Sequence, residues 1–203
     1  MNLVLTLTLT VLAAASPAPT TYALVIGNNE SLDPKVATLR YADDDAARSF
    51  ELFESRAQGV RLLTVLDAAS QKLYPGLAAR ARPPTRTELL RAFGELNEAM
   101  AADAAAGAEP TLYFVFSGHG RRTPAGDGTI QLLDGDFTRD ELFEQIIDRA
   151  KARWVHLIVD ACDSYFFVNA RGTQLPVAPP TTAAVAEHLA EHSLERHPNV
   201  GAV

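Results

Sequence analysis

Along the chain, short runs of consecutive apolar residues alternate with longer stretches in which apolar positions recur every three or four residues. An unbroken apolar run suits a strand buried on both faces of a sheet, because a strand with one wet face would show a polar residue at every second position. Residues 22–26 (YALVI) and 112–116 (LYFVF) have this character, and 60–66 (VRLLTVL) and 154–159 (WVHLIV) come near it, interrupted by Arg61, Thr64 and His156, so all four read as largely buried strands. Between them, Ala46, Phe50, Phe53 and Ala57 form one apolar stripe at helical spacing, and Leu89, Phe93, Leu96 and Met100 form another. Thr85 with Glu88, and Thr138 with Glu141, match the capping box, in which hydroxyl and carboxylate satisfy free backbone N–H groups at a helix start. The second pair leads into Leu142, Phe143, Ile146 and Ile147.

Strands alternating with helices of this length predict βαβ units, hence an α/β protein: a three-layer α/β/α sandwich around a mainly parallel sheet. Residues 126–136 (GDGTIQLLDGD) predict a short extra strand between tight turns. A proline-rich stretch, 175–180, interrupts the pattern and 183–196 resumes it as a helix. Residues 198–203 (PNVGAV) then read as a turn opening into a further strand. A sheet that stopped at the 154–159 strand would present an apolar edge. The domain, residues 22–203, is therefore expected to lack its C-terminal strands, with more chain or a partner chain completing the sheet.

A chain of 203 residues, 47% of them hydrophobic, can close one sizeable core, so a single domain is expected. The net charge of −7, with no run of lysine and arginine, excludes the electrostatic footprint of a nucleic-acid binder. Cys162 is the one cysteine, which rules out an intrachain disulfide and a multi-cysteine zinc site. Residues 1–15 combine an apolar run with Ala13-Ala14-Ala15 at its end and predict a secretory signal peptide, followed by a linker at 16–21; with no Lys or Arg ahead of the run, the alternative reading is a misassigned start or a β-prone leader. Such a run is too short for a stable membrane anchor, so an exported protein is expected.

The stretch PTLYFVFSGHGRR, residues 110–122, carries an apolar run straight into a histidine with a glycine on each side. Gly118 and Gly120 leave no Cβ near His119, so another chain segment or a ligand can approach the imidazole closely. The last apolar run continues as HLIVDACDSYFF, and Cys162 follows its strand as closely as His119 follows the previous one. Neighbouring parallel strands would bring both to one sheet edge as a Cys/His dyad, in which the imidazole takes the thiol proton and later protonates a leaving amine. The N–H groups of Gly120 and Cys162 are suited to receive an oxyanion. Taken singly, each residue also fits a role in packing, with no contact between them.

SGHG at 117–120 together with DAC at 160–162 resembles the caspase and metacaspase clan of cysteine peptidases, which includes clostripain-like and gingipain-like enzymes. YALVIGNNE and LRYADDDAAR are similar to that clan's first strand and the loop leading into its first helix, so the resemblance spans residues 22–168. The animal caspase signature Q-A-C-[RQG]-G is not matched. Asp163 and Tyr165 also depart from the metacaspase-like pattern D-A-C-H-S-G.

The resemblance implies a caspase-like fold and a polypeptide substrate. It makes His119 the general base and acid, Cys162 the nucleophile, and Gly120 an oxyanion donor. It also implies that Asp160 and Asp45 line a pocket for Arg or Lys through charge-assisted bonds. The Asp43-Asp44-Asp45 run equally suits a helix start, where carboxylates are favoured with no ligand involved. No cofactor is implied, although some relatives need calcium. The second functional reading, motivated by Asp163 and Tyr165, is a catalytically silent binding or regulatory module. Nucleotide binding lacks both of its glycine fingerprints. His156 reads as a core or interface histidine, and His188, His192 and His197 as a solvated helix face. Asp127, Asp134 and Asp136 read as turn residues, so no metal site is expected.

Overall fold

The computed structural model describes residues 18–123, 127–168 and 197–203. The expected signal peptide, the proline-rich stretch and the 183–196 helix with His188 and His192 lie outside these residues. The elements are β1 (Pro19–Asn28), α1 (Ala42–Glu54), β2 (Gly59–Leu63), α2 (Ala68–Leu73), α3 (Arg86–Ala105) and β3 (Glu109–Gly118). There follow β4 (Gly120–Arg122), β5 (Gly128–Leu132), β6 (Gly135–Thr138), α4 (Arg139–Glu141), β7 (Trp154–Asp160), α5 (Ser164–Val168) and β8 (Val200–Ala202). Residues 19–21, read as linker from the sequence, open β1 instead.

The main sheet has the order β2-β1-β3-β7-β8, with every pairing parallel. This is the predicted α/β sandwich. On β1, Tyr22, Leu24 and Ile26 pack with Leu89, Phe93, Leu96 and Met100 of α3. Ala23 and Val25 face the other way, into a cluster with Ala46, Ala47 and Phe50 of α1. Both faces of the central strand are dry, which is why its sequence shows no alternation. The direction of crossover reverses between β1–β2 and β2–β3, so α1 and α3 cover opposite faces when both crossovers are right-handed. That reversal opens a crevice at the carboxyl edge beside β1 and β3, the usual ligand position in open α/β sheets.

Four features differ from the sequence expectation. The second strand ends at Leu63, and the backbone of Thr64 turns to pair with Arg82. Residues 128–132 and 135–138 form, with 120–122, a three-stranded antiparallel sheet, β4-β5-β6, where one extra strand was expected. The helix from Thr138 has the full reciprocal capping box, but continues as a π-helical turn over Leu142–Ile147. At α3 only half of the box forms: Thr85 accepts from the Glu88 N–H, while the Glu88 carboxylate pairs with Arg91. Residues 200–202 do form the expected further strand, β8, which covers the free edge of β7.

Close packing of α1 depends on Gly27. A methyl group there would sit 2.4 Å from the Ala42 carbonyl oxygen and 2.6 Å from the Ala46 Cβ. On the other face, Arg86 ties the second sheet to the start of α3: its side chain bonds Glu141 and the Asp136 carbonyl, and its N–H donates to Asp134 at 3.0 Å. Glu95 of α3 accepts from Arg82 at 3.0 Å and from Arg61 of β2 at 2.7 Å. Hydrogen bonds from those two guanidinium groups, Arg82 first, hold its carboxyl well below its ordinary 4.5, at about 2.

Gly27→Ala is expected to destabilise the fold by about 1–3 kcal/mol in chemical denaturation, because the methyl group must push α1 off the sheet. An unchanged unfolding midpoint would contradict that close fit. The depressed Glu95 pKa means its ion pairs stabilise the fold above the ordinary carboxyl range, and that stability fades as pH falls toward about 2. Glu95→Gln is therefore expected to lower Tm at neutral pH, with the gap to the parent closing through that window; a gap independent of pH would contradict the linkage.

Candidate active site

The parallel ladder sets Ser117 of β3 opposite Asp160 of β7, so the two strands leave the sheet side by side. His119 comes just after one strand end and Cys162 just after the other. A methyl group at Gly120 would lie 2.2 Å from the Cys162 carbonyl oxygen and 3.0 Å from the Ala161 Cβ. At Gly118 a methyl group would lie 2.8 Å from the Asn28 carbonyl oxygen and 2.8 Å from the Phe116 ring. The two glycines therefore serve close approach: one seats the histidine loop against β1, the other against the cysteine loop.

His119 is half-buried, and its carbonyl accepts the Gln131 N–H at 2.9 Å. Its Nε2 is shielded from solvent and has no hydrogen-bond partner among the described residues. Thr20 Oγ1, Asp44 Oδ1 and Thr64 Oγ1 share that state among the described residues, so it is the position of His119 at the strand end beside the Cys162 loop that singles it out. Cys162 is exposed. Directly after it, Asp163 adopts φ 57°, the left-handed region that aspartate tolerates better than most residues. This kink turns the chain into α5, and the Ser164 N–H donates to the Ala161 carbonyl at 3.3 Å.

Beside Cys162 lies a pocket of about 410 Å³, lined by Asp160, Asp45, Arg40, Tyr41 and Leu39 among others. Asp45 and Asp160 are both exposed, and neither makes a salt bridge among the described residues. The aspartate run divides by burial. Asp43 is fully buried and accepts from the Asn29 side chain at 2.7 Å and from the Asp67 N–H at 2.9 Å, so it clamps two loops together. None of the three caps α1. Tyr41 holds the N-cap position without a side-chain bond, and Asn29 instead accepts the Ala42 N–H at 2.9 Å.

Several residues at this edge escape a reading of the sequence. Arg40, Tyr41 and Leu39 stand in the LRYADDDAAR string, yet their place in the pocket depends on where α1 docks. Asn28 and Gln131 pack behind His119, and no local pattern marks them. His156 is stacked on Tyr113 with ring centroids 4.8 Å apart, in the core-like role expected. His197 lies 3.5 Å from Asp148 and against the Phe143 ring, in a turn and not on a helix face. Asp134 and Asp136 serve as polar anchors for Arg86 and Arg121. Among the described residues no three His, Cys, Asp or Glu side chains gather to hold a metal ion, and no helix is long and apolar enough to cross a membrane.

The search of curated proteins returns no match to this chain. The model of the caspase domain matches residues 20–196. That span takes in β2, β3, β7 and all but the first residue of β1, together with the glycine-flanked His119 and the Cys162 turn. With the parallel sheet and this strand-end edge already in view, the match has a plain consequence: the chain belongs to the caspase-domain family of cysteine peptidases.

Proposed function

We propose that the chain is a cysteine endopeptidase that cleaves polypeptides after Arg or Lys, with His119 and Cys162 as its dyad. The observation that carries this reading is the close backbone approach of Gly120, the residue after His119, to Cys162 at the strand-end edge. In the proposed cycle His119 takes the Cys162 proton, and the thiolate forms a C–S bond to the scissile carbonyl carbon as the π pair moves to oxygen. The N–H groups of Gly120 and Cys162 receive that oxyanion. Collapse restores the carbonyl and breaks the C–N bond, and the imidazolium proton goes to the leaving amine. Water then adds to the thioester, giving its proton to His119. The acid departs as the thiol regains a proton.

Asp160 and Asp45 support the basic preference. Their carboxylates line the same pocket as Cys162 and are not committed to salt bridges among the described residues, so they are available to a guanidinium or ammonium group. Arg40 lines the pocket too, but two carboxylates against one guanidinium leave it acidic. The leader at residues 1–15 supports an exported enzyme.

Iodoacetamide is expected to alkylate Cys162 faster than a free model thiol at mildly acidic pH, and His119→Ala is expected to abolish the excess. Equal rates in parent and His119→Ala would sink the dyad. Fluorogenic Arg, Lys and Asp peptides, assayed beside Cys162→Ala, read the preference. Asp160→Ala is expected to reduce turnover of Arg peptides by roughly tenfold or more while leaving thiol labelling near the parent rate, since a charge-assisted bond to substrate is lost and the dyad is not. An unchanged Arg preference would make Asp160 a structural residue. Labelling that depends on His119 without any turnover would favour the silent binding module.

A further inference from the structure

We propose that Asn28 is the positioning residue for His119, acting through Gln131; this rests on the reading of His119 as the catalytic base. Asn28 ends β1, is only 2% exposed, and stands opposite Gly118 in the β1–β3 register. Its carboxamide is used on every side: Oδ1 accepts the Glu30 N–H at 3.1 Å, and Nδ2 donates to the Glu30 carbonyl at 3.0 Å and the Gln131 carbonyl at 2.8 Å. Gln131, 4% exposed, lies on β5 of the second sheet, and its own N–H donates to the His119 carbonyl. Its side chain turns back to the loop after Asn28, accepting from the Ser31 hydroxyl and the Leu32 N–H, each at 3.1 Å.

These bonds close a ring. It runs from the end of β1 across the Asn28 carboxamide to β5, through the Gln131 peptide to His119, and back by way of Gly118 to the β1 backbone. Both side chains are almost fully buried, so a group left without its partner is costly and the loop would shift to avoid it. The main-sheet ladder stops at Gly118, and β4 pairs with β5 only from Gly120. His119 thus falls between two ladders, and the tie from Asn28 to Gln131 sets one relative to the other at that point. A small displacement there changes where the imidazole stands relative to Cys162, and misplacement on the scale of 1 Å can cost about a hundredfold in rate.

The test measures alkylation of Cys162 by iodoacetamide on the full chain, with thermal unfolding alongside. Asn28→Asp keeps the shape and the acceptor for the Glu30 N–H, but turns a carboxylate oxygen toward two carbonyls. It is expected to lose roughly tenfold of the His119-dependent excess while remaining folded. Tyr22→Phe is the control: it removes a 2.7 Å bond to Asp103 far from the site, and is expected to lower Tm without touching the excess. A folded Asn28→Asp that labels at the parent rate overturns the inference. So does Tyr22→Phe losing as much reactivity as Asn28→Asp, which would mean general loosening. If Asn28→Asp does not fold, Asn28→Ser takes its place under the same outcomes.

A parent chain without any His119-dependent excess refutes the dyad itself, and is recognised before any Asn28 variant is compared. The imidazole NMR signal of His119, assigned with His119→Ala, needs no reactive thiol. It is expected to move in Asn28→Asp and stay in place in Tyr22→Phe; an unmoved signal in Asn28→Asp overturns the positioning role whatever the labelling shows.

Discussion

The parallel register of β3 and β7 sets Ser117 opposite Asp160, and from that pairing the chain leaves the sheet as two adjacent loops, one bearing His119 and the other Cys162. A slip of one residue would turn every side chain of β7 to the other face and separate the loops. The register is held by burial: Leu112, Phe114 and Phe116 of β3 pack with Val155, Leu157 and Val159 of β7 in one apolar cluster. Beyond the strand ends the constraint becomes one of clearance. Gly118 and Gly120 let the histidine loop lie against backbone on both sides, where any larger residue would collide with a carbonyl oxygen or a ring.

Around that edge, burial decides what each polar group does. Asp43 and Asp45 stand two positions apart on the first turn of α1. Asp43 is enclosed and spends its oxygens on Asn29 and Asp67, while Asp45 is open to the pocket beside Cys162. A carboxylate whose lone pairs are already satisfied offers little to a ligand; one facing a pocket without a salt bridge offers both oxygens to a cation. The same contrast separates two buried groups at this edge: the Asn28 carboxamide is bonded through both its oxygen and its nitrogen, and Nε2 of His119 has no partner among the described residues.

Much of this is legible in the sequence where the signal is local. β1 and β3 announce themselves as apolar runs because both of their faces are buried along most of their length, whereas in β7 Trp154 and Ile158 are exposed although the sequence reads as a buried run. The Thr138 capping box forms as its residues imply. His119 and Cys162 stand out because glycines and strand ends bracket them. The second sheet is harder to read, since β4 is the polar triplet Gly120–Arg122 and becomes a strand only when β5 folds back on it. Asn28 and Gln131 are invisible as a pair because the bond between them joins residues far apart in the chain and depends on how two sheets dock. The aspartate run suggests its own cap for α1 and misleads for a similar reason: Asn29 reaches the helix start from the preceding loop.

The dyad is the claim on which the catalytic reading turns, and mass spectrometry of the chain after incubation with an arginyl chloromethyl ketone, run on the parent and on His119→Ala, tests it most directly. Cys162 is the chain's one thiol, so a thioether adduct has a single source. The expected result is an adduct on Cys162 in the parent and none in His119→Ala. Equal adduct formation in the two proteins would contradict the account.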